Sequence, residues 1–228
     1  MTRRTNARVA GFTFFLYIAL GLTAMVLSNR ATAGEGTAAK LASVARHVPE
    51  MRVAVVLDLL CCFCALVLAV TLYAITRDQD SDVAMLGMIC RVAEGVIGGA
   101  SLPRPLGRLW LATAAGKDAL DPATTNMLGA VLLKVPDRSS LVSAIFFAVG
   151  STLFAWLLLR GRIVPVALAS VGVFASILIV VGLPVQLIGL LPDLIAQLMW
   201  MPMLVFEVAL ALWLIIKGAA PPPRRQSE

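Results

Sequence analysis

Residues 51–76 read MRVAVVLDLLCCFCALVLAVTLYAIT, and from Val53 to Thr76 the run carries a single charged side chain, Asp58. About 20 apolar residues in a helix rising ~1.5 Å per residue cross a hydrocarbon core ~30 Å thick. The stretch is therefore expected to be a membrane-spanning helix. Working outward, comparable apolar runs give five more spans, at about Val9–Ser28, Val83–Leu102, Ser139–Leu159, Val164–Leu190 and Leu194–Ile216. The first is preceded by Arg3, Arg4 and Arg8, and Ala31-Thr32-Ala33 resembles a signal-peptide cleavage site. Arg30 is awkward beside such a site and the apolar run is long, so a retained helix is expected.

Composition agrees. The chain of 228 residues is 60% hydrophobic and 14% charged, against about 45–50% and about 25% in a soluble domain. Too few charges remain to cover a folded surface in water. An ordinary cytosolic enzyme, a disordered tail and a secreted disulfide scaffold are excluded. The expected fold is an all-α, polytopic membrane helix bundle of six transmembrane helices, forming one domain over residues 1–218 with a disordered cytoplasmic tail over 219–228. The formal charge of +6, from 19 Lys and Arg against 13 Asp and Glu, suits helix ends at a membrane face. No basic stretch carries the interleaved aromatics that stack bases, so no nucleic acid partner is expected. The partner implied is the lipid bilayer, and protein partners are left open.

The basic residues also suggest an orientation. One face would hold Arg3, Arg4, Arg8, Arg77, Arg160, Arg162, Lys217, Arg224 and Arg225, packed into short segments. The other would hold Arg30, Lys40, Arg46, Arg52, Arg104, Arg108, Lys117, Lys134 and Arg138, spread over longer ones. The denser face, with both termini, is expected to be cytoplasmic. On the outer face, Thr37–His47 is expected to form a short helix. The 103–138 segment is too long for an idle loop, and Asp121-Pro122 is a helix start, a capping residue followed by Pro. Met127, Leu128, Val131, Leu132 and Val135 follow at helical spacing up to a stop at Pro136, which suggests an interfacial or lid-like helix. Gly95 and Gly99, and Gly172 and Ser176, are spaced for close helix packing. Pro184 and Pro202 are expected to kink the last two spans.

Four charges fall inside the spans: Asp58, Arg91, Glu94 and Glu207. A charge at mid-bilayer costs at least ~2.5–3.5 kcal/mol, so each should face the interior and find a partner. Arg91 and Glu94 are three apart on one helix face and can pair. Rise per residue places Arg91 roughly 12 Å, Glu94 roughly 16 Å and Glu207 roughly 15 Å from the inner surface, with Asp58 entering roughly 10 Å below the outer one. The first three can meet. Three acids against one base leave an excess of two, so unless water or another cation enters, at least one carboxyl should be held neutral. Such a cluster fits a proton- or ion-handling site, or a socket for the headgroup of a small or amphipathic ligand. It fits equally an internal clamp fastening the second, third and sixth spans, in a structural or accessory subunit.

Other chemistry is thin. Cys61 and Cys64 form a CxxC beside Cys62, with Cys90 in the next span, but mid-span surroundings disfavour a thiolate and small buried hydrophobes are expected. His47 is the only histidine, so bis-histidine haem and His-rich zinc sites are excluded by count. No phosphate loop, dinucleotide fingerprint, HExxH or GxSxG is present. No catalytic, metal or cofactor-binding residue is assigned and no cofactor is expected. An intramembrane enzyme therefore ranks third.

Five short motifs are more specific. They are Arg8-Val9-Ala10-Gly11, Arg91-Val92-Ala93-Glu94, Leu159-Arg160-Gly161-Arg162-Ile163-Val164-Pro165, Pro202-Met203-Leu204-Val205-Phe206-Glu207, and Leu212-Trp213-Leu214-Ile215-Ile216-Lys217-Gly218. Together they resemble the bacterial six-helix membrane proteins grouped as domain of unknown function 4386, over nearly the whole chain. The resemblance implies a single-domain protein of the bacterial inner membrane without assigned activity, cofactor or partner. It also implies that Arg91, Glu94 and Glu207 are family features. Asp58 and the Cys61–Cys64 cluster have no counterpart in it.

Overall fold

The computed structural model describes residues 2–114, 120–134 and 138–220. Every regular element among them is a helix. Six are long and apolar enough to cross a membrane: α1 (Arg3–Ala31), α3 (Val48–Thr76), α4 (Ser81–Ala100), α7 (Arg138–Arg160), α8 (Val166–Leu187), and a last span built from the short α9 (Asp193–Leu198) and α10 (Met201–Ile216). Between them lie α2 (Gly36–Arg46), α5 (Pro103–Thr113) and α6 (Pro122–Lys134).

Local chemistry sets the helix starts. The Thr2 hydroxyl accepts from Thr5 N–H, and the Asp80 carboxylate accepts from Val83 N–H at 3.2 Å. Each satisfies one of the donors that a first turn leaves free. Prolines sit in the first turn of α3, α5 and α10, where no helical N–H is lost. Pro184 alone among the described prolines lies inside a helix, α8.

The spans pack in chain order into a ring: α1 on α3, α3 on α4, α4 on α7, α7 on α8, α8 on α10, and α10 back on α1. Glycines permit the closest crossings. A Cβ on Gly11 of α1 would lie 2.7 Å from the Ala211 carbonyl oxygen of α10, and one on Gly95 would lie 3.0 Å from the Cys62 oxygen of α3. One end of the ring carries both described chain ends. There Arg3 pairs with Asp78 at 2.9 Å, Arg160 pairs with Asp80 at 3.4 Å, and Ala220 N–H donates to Ile163 O. At the other end α2, α5 and α6 pack on one another as a small cap. Leu109 of α5 joins Ala31, Val44 and Met51 in an apolar cluster that ties the cap to the ring.

Several expectations need correction. The 103–138 segment holds two helices. Only the second is expected from the sequence; α5 starts at Pro103, with Pro in its first turn, where a helix tolerates it. Pro202 does not kink the last span. It lies in the first turn of α10, and the break falls before it, between Leu198 and Met201. Gly99 makes no close approach, since nothing lies within 4 Å of a Cβ built there; Gly98, beside Cys62 Sγ and Ser143 Oγ, does that work with Gly95. On α6, Met127, Leu128 and Val131 face outward, and the buried Gly129 meets Leu41 and Thr37 of α2. Ala219 and Ala220 follow the bundle into a hydrogen bond, so a tail cannot begin before 221. The Pro136 stop and the tail over 221–228 lie outside the described residues.

Candidate functional site

Arg91 faces the middle of the ring from α4 and is 1% exposed, the largest fully buried side chain described. Its room comes from α7, where a Cβ on Gly150 would press on Arg91 Cγ and Cys90 Cβ at 3.2 Å. The guanidinium lies 4.8 Å from the Phe147 ring centre and 5.6 Å from that of Tyr17, within cation–π range. Arg91 Nη1 stands 3.0 Å from Glu94 Oε2. No N–H is aimed along that line, so the contact is an ion pair rather than a hydrogen bond, and Arg91 Nε, Nη1 and Nη2 have no hydrogen-bond partner in the protein.

Glu94 is held from three helices. Tyr17 of α1 donates its phenol O–H to Glu94 Oε1 at 2.8 Å, and Ser143 of α7 donates to the Glu94 carbonyl at 2.8 Å. Its own helix supplies Arg91. Glu207 enters from α10, buried, and interacts electrostatically with both Arg91 and Glu94. Glu207 Oε1 is buried with no hydrogen-bond partner. Arg91 and Glu94 are thus in contact, and Glu207 lines the same cavity as Glu94.

Above them opens a cavity of about 940 Å³, extending from Glu94 and Glu207 toward the cap end. Tyr17, Phe147, Trp200 and Met203 form its apolar and aromatic lower wall, and Ser28, Asn29, Ser101, Arg104 and Arg108 stand near its mouth. Arg91 does not line it. Arg104 and Arg108 donate to the Leu132 carbonyl, a free acceptor at the end of α6. Asp58 also lines the cavity, half-buried on α3, one helical turn nearer the cap than Cys62. It makes no ion pair with Arg91, which has Glu94 instead.

The four cysteines are free. Cys61 and Cys62 line the cavity, Cys64 and Cys90 are buried in helix contacts, and among the described residues no group of three or more His, Cys, Asp or Glu could hold a metal ion. Two members of the site were missed in the sequence. Tyr17 carried a usable signal: a phenol in mid-span needs a hydrogen-bond partner. Phe147 carried none, since one phenylalanine among nine looks like the rest.

Six apolar helices closed around buried charges define a multi-pass helical membrane protein. The profile of the family described as "Domain of unknown function (DUF4386)" matches residues 9–218, nearly the whole chain, and the chain belongs to that family. No curated protein and no solved structure matches it.

Proposed function

We propose that the protein binds or transports a small or amphipathic ligand in the cavity above Glu94 and Glu207, as a multi-pass protein of the bacterial cytoplasmic membrane with both termini inside. The observation that carries this is Glu207, a 95%-buried carboxyl group with an unpartnered oxygen, lining a cavity of ligand size. Ligand pockets run about 300–1,000 Å³ and are mostly apolar with a few placed polar groups. A buried polar atom left without a partner costs about 1–3 kcal/mol, so such an atom on a side chain of the cavity lining favours a bound partner.

The clamp role has its own support, but from different residues. Tyr17 of α1 bonds to Glu94 of α4, and Arg91 pairs with Glu94 on its own helix; Tyr17 and Glu94 also line the cavity, and Arg91 does not. On this division the Tyr17–Glu94 bond, held by Arg91, fastens α1 to α4, and Glu207 serves the ligand.

Thermal stability of the purified full-length protein tests the proposal. It is screened against lipids and metabolites beside a variant whose cavity is filled. Gly21 lines the cavity, and a Cβ there would meet only Cys61 Sγ at an ordinary 3.8 Å, so the first atom of a larger side chain such as Gly21→Phe is accommodated. A ligand at about 100 times its Kd should stabilise the parent by about 2.7 kcal/mol and leave the variant unchanged. Equal stabilisation of both, or of neither by any compound, overturns the proposal.

A further inference from the structure

We infer that the ligand this cavity takes is a lipophilic organic cation, an amine or quaternary onium group on an apolar body, with its charge beside Glu207. The inference rests on the cavity being a ligand site and adds the class of ligand.

Charge comes first. The lower part of the cavity presents Glu94 and Glu207, with Asp58 one level above; among the described residues the buried cation beside them is Arg91, while Arg104 and Arg108 line the mouth and bond to the Leu132 carbonyl. Arg91 and Glu94 are already an ion pair, so the surplus acid at this level is Glu207, whose Oε1 has no hydrogen-bond partner; Glu94 Oε2 and the Arg91 nitrogens also lack hydrogen bonds but face each other. An anionic ligand would meet two carboxylates, and a neutral one would leave Glu207 uncompensated in an apolar wall. A cation pairs with Glu207, which lacks the direct ion pair that Glu94 makes with Arg91.

The walls then choose between kinds of cation. A hard metal ion asks for about six or more oxygen ligands, and no such group is assembled here among the described residues. Phe147, Trp200, Tyr17, Met203 and Leu204 line the same cavity as Glu207. These give a strongly hydrated ion nothing in exchange for its water. They give an organic cation dispersion contacts, and Trp and Tyr faces attract a desolvated positive charge. Phe147 and Trp200 form a tilted pair with ring centres 5.9 Å apart, an aromatic corner in the wall of the same cavity. The cavity's volume admits a bulky body as well as a headgroup.

The test uses two ions of one shape and opposite charge, tetraphenylphosphonium and tetraphenylborate, with the full chain in a neutral detergent. Equilibrium dialysis should show saturable binding of the phosphonium, displaced by an alkyltrimethylammonium salt, and no saturable binding of the borate. Glu207→Gln should weaken phosphonium binding about tenfold or more. Asp58→Asn, at a half-buried position outside the ion pair, should weaken it less and remains informative if the Glu207 variant does not fold. Borate binding as tight as phosphonium, or phosphonium binding unmoved in both variants, overturns the inference while leaving the ligand site standing. Phosphonium binding abolished by Gly21→Phe supports the site and the class together. No saturable binding of either ion overturns the cation class, and the lipid and metabolite screen then decides separately whether the cavity holds any ligand.

Discussion

Arg91 and Glu94 were legible from spacing alone, because two opposite charges three residues apart in an apolar helix have few other ways to be tolerated. Glu207 was legible from depth, being as far above the inner surface as Glu94. What each is for was not, since partners come from other helices: Tyr17 reaches Glu94 across 77 positions of sequence. The structure makes the two glutamates unequal, and that inequality is measurable. Glu94→Gln removes the one carboxylate against Arg91 and strands a buried guanidinium, so stability should fall by about 3–5 kcal/mol. Tyr17→Phe removes a donor to a charged acceptor and should cost about 1.5–3 kcal/mol. Glu207→Gln loses no protein hydrogen bond at Oε1 and should change stability by less than about 1 kcal/mol. Thermal unfolding of the three variants in one detergent checks the ordering. A loss in Glu207→Gln as large as in Glu94→Gln would make Glu207 part of the clamp.

Elements were easiest to read where the signal is local and hardest where a neighbour decides. The helix start at Asp121-Pro122 is entirely local, and Asp121 accepts from the N–H groups of Ala123 and Thr124 and from the Thr124 hydroxyl. These bonds, the Thr124 hydroxyl's foremost, hold its carboxyl below the usual aspartate range. A carboxyl so lowered stabilises the folded form above its unfolded value, near 3.9, and loses that contribution as pH falls through the lower folded value. Amide exchange in α6, taken relative to the intrinsic rate at each pH, should therefore be flat from neutral pH to about 5 and quicken only in stronger acid. Asp121→Ala should quicken it already at neutral pH, with Asp121→Asn close to the parent, since Asn caps nearly as well as Asp. Helix contacts are the opposite case. Gly95 and Gly99 looked alike in sequence, yet only a neighbour's position tells that Gly95 touches α3 and Gly99 touches nothing. Gly11 went unremarked although it lies where α1 meets the α10 backbone. Gly11→Ala should cost about 1–3 kcal/mol through overpacking, and Gly99→Ala should be neutral or gain up to about 1 kcal/mol of helix propensity. A comparison of melting temperatures separates them, and equal effects would contradict the α1–α10 crossing.

At the scale of the whole molecule, six spans in chain order form a ring whose two ends differ in kind. One end is closed by short turns: Gly161 N–H returns to Leu157 O, Arg162 takes a left-handed φ of 46°, and the Arg3–Asp78 and Arg160–Asp80 pairs join neighbouring segments. The other end is built up by α2, α5 and α6, and the cavity opens there. The number of spans was readable because hydrocarbon thickness fixes their length. The ring order and the cavity were not, because they depend on which face each helix turns inward. Orientation joins the two scales. The closed end concentrates Arg3, Arg4, Arg8, Arg77, Arg160, Arg162 and Lys217 next to span ends, where basic residues count most toward retention on the cytoplasmic side. The cap end carries its described basic residues through longer segments, two of them, Arg104 and Arg108, engaged with the end of α6. The cavity should therefore open away from the cytoplasm. Alkaline phosphatase fused after Glu35, between α1 and α2, should be active in a bacterial host, and fused after Gly218 it should be inactive, with a fluorescent protein at Gly218 giving the reverse. Activity at Gly218 and none at Glu35 would turn the molecule over, with the cavity facing the cytoplasm and its ligand drawn from there.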